Sequence, residues 1–281
     1  MEICLIMDNP ETPNHPVIAV ALHKLSARHT VRLLDVRELT AAQAITQEEA
    51  HSLAGIYLLK SHAPQALELA HHLEQRGALM VNSWASSMAC QDRVLMAQRM
   101  AEAGLPWPRM WSFPSLEHLL AQSDLLETLP FPLIIKSHYS HRGDLVDKVY
   151  TVRQLQALAR EWRLEPVILQ EFVHGDGWDI KLWVIDARIF AARRRTPLEA
   201  NAPKEDYPFS EEELPIDWRQ IALEIGRAFD LRLYGVDLLM TGGGPMVVDV
   251  NSFPGFRGVP GADDALVALV ERLVEERQAA I

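Results

Sequence analysis

Asp249 and Asn251 are the residues whose types and spacing most directly suggest chemistry. They lie in the segment VVDVNSFPGF, Val247 to Phe256, after an apolar run and before a Phe-Pro-Gly turn. Side chains two positions apart on a strand point to the same face, so both project together where the strand ends. A carboxylate and an amide carbonyl are hard oxygen ligands, which suit Mg²⁺ better than Zn²⁺. The same residue types are also typical of an ordinary turn, and this segment alone favours that interpretation.

A second carboxylate comes from the preceding strand. The segments LYGVDLLM and MVVDVN flank TGGGP, which predicts a hairpin. If Thr241 to Pro245 form the loop and Met240 pairs with Met246, Asp237 lies directly opposite Asp249. Opposed carboxylates repel and raise each other's pKa unless a cation lies between them. The pattern predicts a metal site, but a loop shorter by one residue would turn one carboxylate to the other face.

Composition excludes several classes of function. The chain has 281 residues, of which 48% are hydrophobic, and this suits a globular protein with a real core. The net charge of −11 disfavours general nucleic-acid binding, because phosphate contacts need Lys and Arg. No apolar run approaches the ~20 residues of a membrane helix, and the first residues carry no basic signal region. We therefore expect a cytoplasmic protein without a nucleic-acid or membrane partner.

Strands that alternate with helices must position these residues. The apolar pattern over residues 1–85 is typical of a parallel α/β unit, and it contains no GxGxxG motif. A helix capped by Ser86 or Ser87 follows, and Phe131–Ser137 reads as a strand. Farther along, the pattern predicts a hairpin that turns at Asp186 and ends in a run of three Arg residues.

These pieces, in this order, resemble the ATP-grasp enzymes from about Trp84 to Pro260. The metal hairpin of that family has an Asp, an acidic residue twelve positions later and an Asn two beyond, as do Asp237, Asp249 and Asn251 here. The middle residue is usually Glu, which is one methylene longer. The resemblance implies that these three residues bind Mg²⁺ or Mn²⁺.

The resemblance also implies a fold class, α/β with α+β lobes, and a division of the chain. An N-terminal parallel α/β domain, the pre-ATP-grasp domain, would occupy residues 1–85. The small lobe of the ATP-grasp fold would occupy residues 86–165, and the C-terminal lobe with the metal site would occupy residues 166–281.

Matching motifs imply contacts to ATP. In the family, a strand Lys contacts the phosphates, backbone groups of the interlobe strand pair with adenine, and an acidic residue holds the ribose; here IIKS and ILQEFV match. QDR departs from the usual Asp-Lys, and SHYSHRGD departs from the usual Gly-rich loop because it contains a single glycine. The implied nucleotide-binding residues are Arg93, Lys136, Arg142, Glu171, Phe172, Val173, Asp179 and Lys181. In FAARRR, Arg195 stands where a catalytic phosphate-binding Arg is expected, and Arg193, on the same strand face, is the other candidate.

The activity that the resemblance implies is ATP-dependent carboxylate–amine ligation through an acyl phosphate. The layout is similar to the RimK-like ligases that add glutamate to ribosomal protein S6, so a small-molecule or peptide substrate is expected, and a homodimer is a further expectation. Motif similarity to inositol trisphosphate 5/6-kinases keeps a kinase as an alternative, and a non-catalytic nucleotide-binding regulator is a third. The acidic segment Asn201 to Leu214 favours the ligase, because it would repel an inositol phosphate.

Overall fold

A computed structural model describes residues 1–140, 143–195 and 206–279, with the side chain of Arg195 outside this description. The described residues form three sheets, each with its own helices. None of the helices in these ranges is long and apolar enough to cross a membrane.

The N-terminal domain is a four-stranded parallel sheet in the order β2-β1-β3-β4. Helices α2 and α3 pack on one face of this sheet and α1 on the other. The elements are β1 (Glu2–Met7), α1 (Pro16–Ser26), β2 (Thr30–Asp35), α2 (Ala41–Glu49), β3 (Ile56–Lys60), α3 (Pro64–Gln75) and β4 (Met80–Val81). The parallel α/β unit predicted from the apolar pattern is confirmed, with α2 as an addition that the pattern did not indicate.

The helix predicted after Ser86 or Ser87 is two helices, α4 (Trp84–Gln91) and α5 (Arg93–Glu102). The predicted cap is wrong, because Ser83 caps α4 by accepting a hydrogen bond from the backbone of Ser86. Asp92 ends α4 in an extended conformation and caps α5 through its carboxylate. An Asp at such a break accepts hydrogen bonds from the free N–H groups of the new helix. The apolar pattern continues across the break and therefore does not reveal it.

A second sheet, antiparallel in the order β5-β8-β6-β7, forms the middle lobe. Its elements are β5 (Met110–Phe113), α6 (Leu116–Leu120), α7 (Ser123–Thr128), β6 (Leu133–Ser137), β7 (Val146–Val149), α8 (Val152–Trp162) and β8 (Val167–Glu171). Because β8 pairs with both β5 and β6, this sheet extends past residue 165, the predicted end of the small lobe.

The C-terminal sheet has the order β11-β10-β9-β12-β13. Its elements are β9 (Trp178–Ile185), β10 (Arg188–Arg195), β11 (Tyr207–Phe209), α9 (Ile216–Phe229), β12 (Leu233–Thr241), β13 (Gly244–Ser252) and α10 (Ala262–Ala279). Helices α4, α5 and α9 cover one face, while α1 and α10 lie between the other face and the N-terminal sheet. The two domains therefore share a continuous core, and the predicted turn at Asp186 is confirmed, with φ of 58°.

The hairpin of β12 and β13 has the predicted opposition of carboxylates but not the predicted loop. Met240 pairs with Pro245 instead of Met246, so the loop between paired Thr241 and Gly244 has two residues, and the register near it is shifted by one. A bulge next to Asp237 then inserts Val248 as an extra residue, and Asp237 lies opposite Asp249 after all. The bulge restores the side-chain face that the shorter loop would otherwise have reversed.

Packing of α9 on this sheet gives a test of the fold. A Cβ atom added at Gly226 would clash with the hydroxyl of the buried Tyr234, which donates a hydrogen bond to the carbonyl of Ala222. We expect Gly226→Ala to lower the free energy of unfolding by about 1–3 kcal/mol, because overpacking outweighs the gain in helix propensity. Urea denaturation measures this change. The control Gly242→Ala, in open space, should change little, and an unaltered Gly226→Ala protein would contradict the packing.

Candidate active site

A cleft of about 390 Å³ lies between the middle and C-terminal sheets. We call it the interlobe cleft; it is lined by Ile134, Lys136, Val146, Lys148, Gln170, Glu171, Phe172, Val173, His174, Gly175, Gly177, Asp179, Leu239 and Val248. Its volume falls within the usual range for small-molecule sites, and most of its exposed lining is apolar. Five of the residues predicted to bind nucleotide line it: Lys136, Glu171, Phe172, Val173 and Asp179.

Lys148 and Gln170 also line the cleft, although no role was predicted for either. Lys148 lies opposite Ile134 in the sheet, and its amine is 3.3 Å from the centre of the Phe172 ring. Gln170 is only 2% exposed, and its Nε2 has no hydrogen-bond partner in the part of the chain that the structure describes. The period of two along β7 and β8 is the signal that could have found both residues, because it places them on the face of Lys136.

Lys136 joins the cleft to the C-terminal hairpin. Its amine donates a hydrogen bond of 3.3 Å to the carbonyl of Val248, the bulge residue. Burial lowers the pKa of Lys136, and the nearby Asp249 carboxylate opposes that change. The amine is therefore held at the point where the cleft reaches the two opposed carboxylates.

The candidate metal site is the group Asp237, Asp249 and Asn251. The Asn251 amide donates to Asp249 at 3.0 Å, and Lys181 forms an ion pair with Asp237 at 2.8 Å. Burial raises the pKa of the Asp249 carboxyl, Lys136 opposes this effect, and Asp237 adds to it. Burial and the charge of Asp237 thus disfavour the ionised form of Asp249.

The donor chemistry of this group fits Mg²⁺ or Mn²⁺. Two carboxylates and one amide oxygen are hard ligands, and Mg²⁺ commonly takes only one or two protein carboxylates while phosphates and water complete its shell. No cluster of three or more His, Cys, Asp or Glu side chains that could hold a metal occurs among the described residues. A cation here would contact both the protein and a bound phosphate. The positive charge that the protein itself supplies at this point is that of Lys181.

The structure does not bring Arg193 into this group. Arg193 pairs with Ile180 across the sheet, and its guanidinium lies 4.7 Å from the ring of Trp178, on the face away from Asp237. The Arg195 side chain lies outside the described residues, as does all of Arg142.

Arg194 is instead the member of the Arg run on the face of the site. It pairs with Asp179 across the sheet and forms an ion pair with Asp206 at 3.0 Å. Sequence reasoning missed this residue because it chose Arg195 by motif and Arg193 by the strand face that it shares with Arg195. The strand parity of Arg194, by contrast, matches that of Lys181 and Asp179.

Arg93 is buried and already bonded. Its two terminal nitrogens donate to the carbonyl of Ser137 at 2.7 Å and to Asp144 at 2.8 Å, both in the middle lobe. The guanidinium thus ties α5 to the end of β6, and its positive charge also acts on Lys136 and Asp249. Its predicted contact with nucleotide stays a prediction.

The arrangement of sheets, cleft and hairpin is that of the ATP-grasp fold. A RimK domain ATP-grasp protein of Sphaerobacter thermophilus superposes with a TM-score of 0.75 at 20% identity, over 98% of this chain and 100% of that one. The D-alanine–D-alanine ligase of Bacillus anthracis, solved with ATP, gives 0.75 at 20% identity over 100% and 98%.

Within that fold, the chain belongs to the RimK-like ATP-grasp domain family, whose pattern matches residues 90–269. A probable alpha-L-glutamate ligase of Legionella pneumophila is 24% identical over 98% of this chain and 94% of its own length. Beta-citrylglutamate synthase B of Homo sapiens is 26% identical over 66% of this chain. The match spans about half of that relative, 50% of its length.

The unpartnered Nε2 of Gln170 leads to a prediction about nucleotide binding. In Gln170→Leu, we expect unfolding stability to be unchanged or raised, because a buried unsatisfied amide is removed. Binding of a non-hydrolysable ATP analogue should weaken roughly three- to tenfold, which is the loss of one hydrogen bond. Isothermal titration calorimetry measures the affinity, and thermal unfolding measures the stability.

Gln91 provides the matched control. It is also buried with an unpartnered Nε2 among the described residues, but it does not line the interlobe cleft. Gln91→Leu should therefore leave nucleotide affinity unchanged. Equal loss of affinity in both variants would show that the effect arises from altered packing and not from a contact in the cleft.

Proposed function

We propose that this chain is an ATP-dependent carboxylate–amine ligase that works with Mg²⁺ or Mn²⁺. The observation that carries the proposal is the position of the candidate metal site. Asp249, the first residue of that site on β13, directly follows Val248. Val248 lines the interlobe cleft and accepts the hydrogen bond of Lys136. Phosphates of a nucleotide in that cleft would therefore end beside two carboxylates and a buried amine.

The residues of the cleft bind and orient the nucleotide in this proposal. The backbone of Glu171 to Val173 pairs with the base, Asp179 holds the ribose, and Lys136 and Lys148 offset phosphate charge. The candidate metal site holds the divalent cation, which when bound supplies charge neutralisation at the transferring phosphoryl group. Arg194, which lies on the face of Asp179 and Lys181, is the proposed partner of that phosphoryl group, and the role predicted for Arg195 stays a prediction.

The proposed reaction has two steps. An oxygen of the substrate carboxylate forms a bond to the γ-phosphorus while the bond to the bridging oxygen breaks, which yields an acyl phosphate and ADP. The nitrogen of an amine then attacks the acyl carbon, loses a proton, and expels inorganic phosphate to leave an amide. The amines of Lys136 and Lys148 stabilise negative charge on the phosphates in the first step.

The comparisons support this chemistry over phosphorylation of a hydroxyl group. The relatives named above are called ligases or synthases of glutamate-containing products, and the Legionella relative matches along nearly the full length of both chains. An ATP-consuming reaction also suits the cytoplasmic location expected from the sequence. A homodimer remains an expectation.

Product analysis tests the proposal. The protein is incubated with Mg²⁺, ATP and a panel of carboxylic acids and amino acids, and amides, ADP and free phosphate are measured by mass spectrometry and phosphate assay. We expect one amide and one phosphate for each ADP. Lys136→Met should lower the rate roughly a hundredfold or more, because transition-state charge loses a partner.

Two results would contradict the ligase. A phosphorylated product that matches ADP one to one, without free phosphate, would identify a kinase. Nucleotide binding without turnover for any acid and amine in the panel would instead favour the non-catalytic regulator.

A further inference from the structure

A second cavity, of about 480 Å³, lies at the carboxyl ends of β1 and β3, and we call it the switch-point cavity. These are the two central strands of the parallel sheet, and the chain leaves β1 towards β2 on one side and β3 towards β4 on the other. Open parallel sheets bind ligands at such a switch point, and the volume suits a small molecule.

Hydrogen bonds join this cavity to the end of β13. The amine of Lys60 donates to the carbonyl of Phe253 at 2.7 Å. The ring nitrogen Nε2 of His62 lies 3.0 Å from the carbonyl oxygen of Ser252. Both side chains line the cavity, and both bonds reach backbone that directly follows the candidate metal site.

The candidate metal site lies between the two cavities along the chain. Val248 lines the interlobe cleft, Asp249 and Asn251 come next, and Gly255 lines the switch-point cavity. A molecule in the second cavity would therefore approach the phosphate end of a nucleotide in the first.

The basic groups of the switch-point cavity lack carboxylate partners. Neither Lys60 nor Arg257 has a carboxylate within 4 Å in the part of the chain that the structure describes. Asp8 and Glu11 also border the cavity, and Asp8 acts on Lys60 only from beyond that distance. Burial lowers the pKa of Lys60 to about 8, so its charge is only partly compensated.

His15 adds a neutral donor to the same wall. Its Nδ1 accepts a hydrogen bond from the backbone of Val17, so the neutral ring carries its proton on Nε2. Burial lowers the pKa of His15, and the charges of Arg257 and Lys60 lower it further. In a chain of net charge −11, Lys60, Arg257 and two His residues thus converge on one cavity.

We propose that the switch-point cavity binds the acid substrate of the ligation and that this substrate is a small dicarboxylate. Lys60, Arg257 and His15 hold its distal carboxylate, while its other carboxylate reaches the metal-site end of β13. A monocarboxylate would place its only acid group at the metal-site end and leave the two cations without a partner. This inference rests on the proposed function for the reaction, whereas binding of the acid requires no catalysis.

Calorimetry on the whole protein without ATP tests the inference. The probes are dicarboxylates of three to six carbons, from malonate to adipate, each compared with its neutral diamide. We expect at least one diacid to bind about tenfold or more tighter than its diamide, because the charged group meets two cations. Arg257→Met, an exposed residue without a described partner, should remove that preference, and the exposed control Arg153→Met should keep it.

Variants at the two cavities separate this inference from the proposed function. Lys60→Met should weaken the diacid and not a non-hydrolysable ATP analogue, and Lys148→Met should do the reverse. The inference is overturned if no diacid binds in preference to its diamide, or if Arg257→Met and Lys60→Met both bind it as the wild type does. Preferred binding of the diacid with no ATP consumption in any mixture would refute the ligase and leave the cavity assignment in place.

Discussion

Two carboxylates, those of Asp237 and Asp249, are held opposite each other against their mutual repulsion, and the surrounding structure depends on this constraint. Backbone pairing of β12 with β13 and with β9 fixes their positions, and Lys181 pairs with one of them at 2.8 Å. Such a pair is stable with a cation nearby and strained without one. The bulge at Val248 contributes twice, because it sets the register and presents a carbonyl to Lys136.

The three sheets converge on this point from different directions. The middle lobe forms the interlobe cleft against the C-terminal sheet, and the N-terminal sheet opens its switch-point cavity beside the end of β13. The shared core around α1 and α10 fixes the N-terminal domain against the C-terminal sheet. A nucleotide and an acid can thus be brought together at one short segment of chain, and orienting two reactants in this way is a large part of catalysis.

Local patterns predicted strands, helices and the opposed carboxylates, because burial imposes a period of two or of 3.6 on apolar residues. They could not predict the loop of the hairpin, where one missing loop residue is offset by one extra residue at Val248. The break at Asp92 was hidden because both helices contribute apolar residues to the same core. Arg193 was chosen because it shares a strand face with Arg195, but pairing across the sheet sets Arg193 on the face away from Asp237. The orphan amide of Gln170 depends on packing between lobes, which no local pattern contains.

The most direct test of the account is Mn²⁺ binding, measured by electron paramagnetic resonance in the presence of ADP. The account predicts that the wild-type protein binds Mn²⁺ and that Asp237→Asn and Asp249→Asn each weaken it about tenfold or more, since each removes a charged oxygen ligand. Asp124→Asn, an exposed control on α7, should bind Mn²⁺ as the wild type does. Unchanged Mn²⁺ affinity in Asp249→Asn would contradict the assignment of the opposed carboxylates as a metal site.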